Sequence, residues 1–182
     1  MPRENASIRM SDVVSRLCAI RADITTLDVD AIVNAANAEL FPGGGVDGAI
    51  RKAAGPEMDE DLARIGWCQP GTAVITPGYR LPARWAIATV APIYSGAAGE
   101  EGVFVGCYES SLKLADDRGI ATIAFPCIGT GIYGWPGELA ARLAFDAVVA
   151  HLHACAKQTL VTFCCFSDAD RARYAALIDS RR

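Results

Sequence analysis

Residues 30–55 read D-A-I-V-N-A-A-N-A-E-L-F-P-G-G-G-V-D-G-A-I-R-K-A-A-G. An apolar run, Ala31 to Ala35, ends among two asparagines, Asn34 and Asn37. Three glycines follow, Gly43, Gly44 and Gly45, and Asp47 opens a helical pattern that ends at Ala54, before Gly55-Pro56. Glycines let backbone N–H groups approach a ligand closely. A helix N-terminus adds partial positive charge aimed at that ligand. Amides and one carboxylate in one place suit an anionic ligand, with either polar recognition or base chemistry beside it.

The same alternation continues outward from this stretch. Arg16 to Arg21, Thr72 to Thr76, Trp85 to Val90, Ala121 to Phe125 and Thr159 to Cys165 read as further strands. Gly102 to Asp117, Glu138 to His153 and Asp170 to Ile178 read as helices, the first with Tyr108, Leu112 and Ala115 on one face. Continuous apolar strands alternating with helices predict a largely parallel sheet covered on both faces. Ligands of such folds sit beyond the carboxyl ends of the strands. A chain of 182 residues is expected to form one domain, with residues 1–17 as an N-terminal extension and a core from about 18 to 180.

Composition narrows the function. With 52% hydrophobic and 21% charged residues the chain is globular rather than disordered. A net charge of −4 and scattered lysines and arginines argue against nucleic acid as a partner. No stretch has the length of a membrane span, and residues 1–17 hold no signal-peptide run. Seven cysteines, none spaced C-x-x-C and most in apolar runs, predict reduced thiols and a cytoplasmic setting.

Two loops match G-x-G-x-x-G, at Gly43-x-Gly45-x-x-Gly48 and Gly129-x-Gly131-x-x-Gly134. Neither sits in the tight strand-to-helix turn of a dinucleotide fingerprint. Two such loops, each after a strand and each leading to a helix, suggest a two-sided anion cradle. Only two histidines exist, His151 and His153, both far from the glycine loops in sequence. A histidine-based triad is therefore disfavoured, and a carboxylate or the substrate itself must supply acid–base chemistry. Zinc motifs of the H-E-x-x-H or paired C-x-x-C kind are absent, although His151 and Cys155, four apart, could share a ligand. Asp47 stands out as the carboxylate, Asn34 and Asn37 as readers of hydroxyls or turn formers, and Phe166 as a ring that either packs or stacks.

Taken together, A-D-I-T at 22–25, V-D-A-I-V-N-A-A-N at 29–37, G-G-G-V-D-G-A-I at 43–50, T-P-G-Y-x-L-P-A at 76–83, C-Y-x-S-S-L-x-L-A at 107–115 and A-F-P-x-I-G-T-G-I-Y-G-W-P at 124–136 resemble the macrodomain family, in its MacroD-type hydrolase branch. The resemblance spans about Cys18 to Tyr174. It implies a three-layer α/β/α sandwich with a mixed, largely parallel sheet and an ADP-ribose cleft at the strand ends. It implies that Asp23 and the backbone of Ile24 hold the adenine and that Phe166 stacks on it. Gly129, Thr130, Gly131, Ile132 and Tyr133 would wrap the diphosphate, with Cys127 and Ile128 beside them in the ligand site. Gly43, Gly44, Gly45 and Val46 would meet it from the other side. Asn37 would bond the distal ribose, Asp47 would orient or deprotonate water, and Asn34 would organise the loop more than touch ligand.

The implied activity is removal of mono-ADP-ribose from acidic side chains and deacetylation of O-acetyl-ADP-ribose. The partners would be ADP-ribose, its esters and mono-ADP-ribosylated proteins, with no metal or other cofactor. The alternatives are a non-catalytic ADP-ribose-binding module and a phosphatase of distal-ribose-phosphorylated ADP-ribose. The chain departs from the family pattern at Ala22, at Ala88 and Ala91 within A-T-V-A-P, at Gly129 and at Arg51, a position often held by histidine. Gly129 is expected to loosen the phosphate loop.

Overall fold

The computed structural model describes residues 8–155 and 157–182. Six strands form one mixed sheet: β1 (Leu17–Arg21), β2 (Ala31–Ala35), β3 (Ala73–Pro77), β4 (Trp85–Thr89), β5 (Thr122–Phe125) and β6 (Leu160–Cys165). Their spatial order is β1-β6-β5-β2-β4-β3. All neighbours are parallel except the β3–β4 hairpin, which puts an antiparallel strand at one edge. The helices are α1 (Met10–Val14), α2 (Gly45–Ala54), α3 (Pro56–Ile65), α4 (Glu100–Asp117), α5 (Gly137–Ala154) and α6 (Asp168–Asp179).

Period-2 alternation along the strands divides the core in two. Val33, Ile87, Ile123, Phe125, Val161, Phe163 and Cys165 face α1, α4, α5 and α6, in a layer with Phe104, Tyr108, Leu112, Trp135 and Tyr174. Ile32, Ala86, Ala88, Ala124 and Cys164 face α2 and α3, against Ile50, Ala54, Met58 and Leu62. Cys164 and Cys165 thus lie on opposite faces, as their adjacency in a strand requires. The α2–α3 face of the sheet is built largely of alanine, so these helices pack close to it. Burying each of the large side chains of the other layer is worth about 1.5–3 kcal/mol.

Two helices escaped the sequence reading. Pro56 follows a glycine with φ of 95° and, instead of only stopping α2, occupies the first position of α3, where its missing N–H costs nothing. Five-residue α1 is too short to show periodicity, yet it buries Val13 and Val14 in the main core. The segment before Cys18 is therefore partly built into the fold: its Arg16 is buried, and its guanidinium donates to the carbonyls of Lys157 and Leu152 at 2.8 Å each and of Asp12 at 3.2 Å. Arg16→Ala strands these carbonyls, and a loss of about 2–4 kcal/mol is expected in a urea titration; an unchanged midpoint would mean that water replaces the guanidinium without cost.

Candidate active site

The strand register determines where the site is built. Asn34 shares the face of β2 that carries Ile32, so its side chain points at α2, where Asp47 occupies the first turn. Both residues are buried. The Asn34 amide donates to Asp47 Oδ1 at 2.6 Å and the Gly43 N–H donates to Asp47 Oδ2 at 2.7 Å. Arg51, one turn along α2, donates its Nε–H to both oxygens, at 2.9 and 2.8 Å. Its Nη1 reaches Asp59 of α3 at 2.6 Å and its Nη2 reaches the Leu40 carbonyl at 2.9 Å. Leu40 itself holds φ of 57°, a conformation uncommon for a non-glycine residue. One buried guanidinium therefore ties β2, the 36–44 loop, α2 and α3 together.

Asn37 closes the same loop. Its amide oxygen accepts the Phe41 N–H at 2.9 Å and its nitrogen donates to the Phe41 carbonyl at 2.7 Å. A side chain on Gly43 would meet Asp47 Oδ2 at 3.1 Å and Asn37 Nδ2 at 3.7 Å, so the glycine is what lets the three groups converge.

Beside this cluster lies a cleft of about 1030 Å³ at the carboxyl ends of β1, β5 and β6. Asp23, Ile24, Gly45, Val46, Cys127, Thr130, Gly131 and Phe166 line it, all of them expected from the sequence. At one end Phe166 projects a ring that is 93% exposed, directly after β6. Asp23 caps the 3₁₀ turn Ile24–Thr26: its Oδ1 accepts the hydroxyl and the N–H of Thr25 at 2.7 and 2.9 Å. Those two bonds hold its carboxyl below the usual carboxylate range. Arg21 and Asp170 complete this end. Arg21 is tied to Asp168 at 2.7 Å, and Asp170 accepts from Ser167 at 2.6 Å and from Arg173 at 2.7 Å.

The middle of the cleft runs between Gly45–Val46 and Thr130–Gly131. Gly45 and Val46 begin α2, where N–H groups have no intrahelical acceptor. The 126–135 loop is pinned by Ile128 N–H to Pro126 (2.9 Å), Gly134 N–H to Gly131 (3.0 Å) and Trp135 N–H to Gly129 (3.0 Å). Trp135 is anchored in turn by its indole N–H on the Pro92 carbonyl at 2.7 Å. Gly129, expected to loosen this loop, has φ of 74° and sits 2.7 Å, at its would-be Cβ, from the Trp135 ring. The indole fills the place of a side chain there, so this packing of Trp135 on the loop requires a glycine at 129.

Several expected contacts lie outside the cleft lining. Asn34, Asn37, Gly43, Gly44 and Asp47 form the braced cluster behind the α2 N-terminus. Ile128 is fully buried in the main core and Ile132 is 97% exposed. Tyr133 faces the cluster: burial first, then the charges of Glu39 and Asp47, raise its phenol above the ordinary value. Ala88 and Ala91 are buried in the cores on opposite faces of the sheet and do not line the cleft. Residues the sequence did not single out are Arg21, Ala49, Pro126, Cys164 and Asp170 on the cleft wall, and Leu40 and Asp59 in the brace. Only proximity in space marks them.

The cysteines of the wall are not poised as nucleophiles. Burial pushes the Cys164 thiol up to about 11, and the neighbouring Cys165 with burial raises Cys127. A raised thiol is a poor source of thiolate.

The Macro domain family profile matches residues 33–144, and the chain belongs to the macrodomain family. It is 48% identical over 153 residues to ADP-ribose glycohydrolase MACROD2 of Xenopus laevis, covering 82% of this chain and 37% of that protein. It is 44% identical over 167 residues to an O-acetyl-ADP-ribose deacetylase of Enterobacter cloacae, covering 89% and 93% of the two chains. The crystal structure of the Trypanosoma brucei macrodomain in complex with ADP-ribose superposes with a TM-score of 0.87 at 35% identity, over 92% of this chain and 71% of that one.

Removing the Arg51 side chain leaves Asp47 buried without its counter-charge, which typically costs about 3–5 kcal/mol. Arg51→Ala is therefore expected to lower the denaturant midpoint far more than Lys52→Ala on the exposed side of the same helix. Equal shifts would show that Asp47 is solvated in the native state.

Proposed function

We propose that this protein is an ADP-ribose-binding hydrolase that removes mono-ADP-ribose from acidic side chains and deacetylates O-acetyl-ADP-ribose. The observation that carries the proposal is the cleft itself: an exposed aromatic ring beside Asp23 at one end, two glycine loops facing each other in the middle, and a braced asparagine–aspartate cluster behind the other end. Adenine stacks on Phe166 with Asp23 accepting from its exocyclic amine. The diphosphate lies between the α2 N-terminus and the Thr130–Gly131 turn, where backbone amides replace the missing basic side chains. The distal ribose lies at the Gly43–Val46 side. The relatives' names support this reading. Free thiols throughout the described chain suit a cytoplasmic setting.

Asp47 has a different task in this proposal from that of a free base. Its oxygens are taken by Asn34, Gly43 and Arg51, so it acts by holding the loop that positions the distal ribose and the attacking water. The water is then oriented on the substrate's own phosphate. The occupied carboxylate also favours a second reading, a module that binds ADP-ribose without turnover. Incubation with O-acetyl-ADP-ribose separates the two: free ADP-ribose accumulates under the first reading only.

Phe166→Ala is expected to weaken every adenine ligand by about 1–3 kcal/mol, the usual worth of a base–aromatic stack. Calorimetry with ADP and ADP-ribose measures it, and unchanged affinity for both would misplace the adenine.

Asp47→Ala is expected to lower both turnover and ADP-ribose affinity, because the loop it holds serves both. A group that only accepted a proton would contribute about 10²–10⁴-fold to rate and leave affinity intact. Paired calorimetry and turnover assays distinguish the two roles, and loss of turnover at full affinity contradicts the positioning role.

The linkage cleaved follows from the same inventory. With no histidine at the cleft, little is available to protonate a poor leaving group, whereas a glutamate-linked ester departs from the ribose as a carboxylate and an acetyl ester is attacked by water at its carbonyl carbon. Glutamate-linked peptides are expected to release ADP-ribose, and serine- or arginine-linked ones to persist. Mass spectrometry of a peptide panel checks this, and comparable release from the serine-linked peptide contradicts it.

A further inference from the structure

A second constellation lies at the other end of the sheet. Asp116, in the last turn of α4, faces His151 in the last turn of α5 and Cys155 just beyond it. His151 Nε2 lies 2.9 Å from Asp116 Oδ2, and Cys155 Sγ lies 3.5 Å from the same oxygen. All three donor atoms fall within 4.8 Å of one another, and all three residues are half-buried. His151 and Cys155 are four apart, so the end of α5 presents both on one side.

We propose that Asp116, His151 and Cys155 form a binding site for a divalent transition-metal ion, zinc in particular. The donor set is one carboxylate oxygen, one imidazole nitrogen and one sulfur, a mixture zinc accepts in tetrahedral coordination. Zinc bonds of about 2.0–2.3 Å imply separations near 3.3 Å between nitrogen and oxygen and near 3.6 Å between sulfur and oxygen in a tetrahedron. The observed 3.5 Å matches the second, and the first requires the Asp116–His151 pair to open by a few tenths of an ångström.

An aspartate–histidine hydrogen bond alone would need no third group. Here the thiol converges on the oxygen already taken by the imidazole, as ligands around a common centre do. The nearby ammonium groups are engaged elsewhere: Lys157 on the Asp116 backbone carbonyl and Lys113 on Asp117 at 3.4 Å. On binding, the Cys155 S–H bond breaks, its proton goes to solvent, and thiolate with carboxylate balances the two positive charges of the ion. The fourth position is left for water.

Position argues for a role apart from the cleft. The residues after Asp116 lead into β5 and those after Cys155 lead into β6, whereas Pro126 and Phe166 follow the far ends of these same strands. A sheet's length, roughly 13–20 Å at 3.3 Å per residue, separates the two sites. The ion would clip the ends of α4 and α5 and stabilise the folded chain by mass action.

The test uses the reduced, chelator-treated full chain titrated with Co²⁺. The expected result is a near-ultraviolet thiolate-to-cobalt charge-transfer band with visible bands of tetrahedral cobalt, both removed by Zn²⁺, and a Zn²⁺-dependent rise in melting temperature. Cys155→Ser should lose the charge-transfer band. His151→Gln should weaken Zn²⁺ binding, and in the parent chain Zn²⁺ should protect Cys155 from alkylation, read by mass spectrometry. A missing band, or a band unchanged in Cys155→Ser because another cysteine makes it, overturns the proposal. ADP-ribose affinity of the same variants reports on the cleft separately.

Discussion

The buried pair between Arg51 and Asp47 is the constraint on which the site depends. Both side chains are 4% exposed, at 2.8 Å, and neither charge could remain there alone. The pair is held in a ring of further bonds to Asn34, Gly43, Leu40 and Asp59, so each partner satisfies several groups that would otherwise be buried and unpaired. The consequence is geometric. A loop of nine residues after β2 is forced into one shape, with Leu40 in a left-handed conformation and the α2 N-terminus aimed into the cleft. A histidine at position 51 could exchange a proton with Asp47. Arginine cannot, since it stays charged at every physiological pH. In this chain the cluster is therefore held together by a fixed positive charge.

The sheet prepares that arrangement. Its α2–α3 face is made of Ala86, Ala88 and Ala124, with Ile32 and Cys164, and the small side chains let α2 approach near enough for Asn34 to touch Asp47. The opposite face carries the aromatic mass: Phe104, Tyr108, Phe125, Trp135, Phe163 and Tyr174, several in ring contact. Trp135 belongs to both worlds. It packs on Phe104 at 4.2 Å between centroids and fixes Gly129 in the 126–135 loop. Core packing on one side of the sheet thereby shapes a loop of the cleft at its end.

Much of this was legible in the sequence, because periodicity reports burial directly. Every strand lies within a residue or so of its expected limits, and the two glycine loops do face one cleft with Asp23 and Phe166 at its end. What could not be read were relations in space. Nothing in G-A-I-R-K-A-A-G says that the arginine turns inward to Asp47 and Asp59 while the lysine turns out. Nor does G-P announce a new helix rather than a stop, since the two readings share one dipeptide. The partners of Asp47 were equally hidden: its bonds to Asn34, Gly43 and Arg51 depend on three segments that only the fold brings together.

The central claim is that Asp23, Phe166 and the two glycine loops form a single site for ADP-ribose. An amide-resolved NMR titration of the full chain with ADP-ribose tests it most directly. The account predicts the largest shifts at residues 22–24, 43–46 and 127–133 and at Phe166, with little change at the ends of α4 and α5. Shifts concentrated elsewhere on the molecule, or none at millimolar ligand, would contradict it.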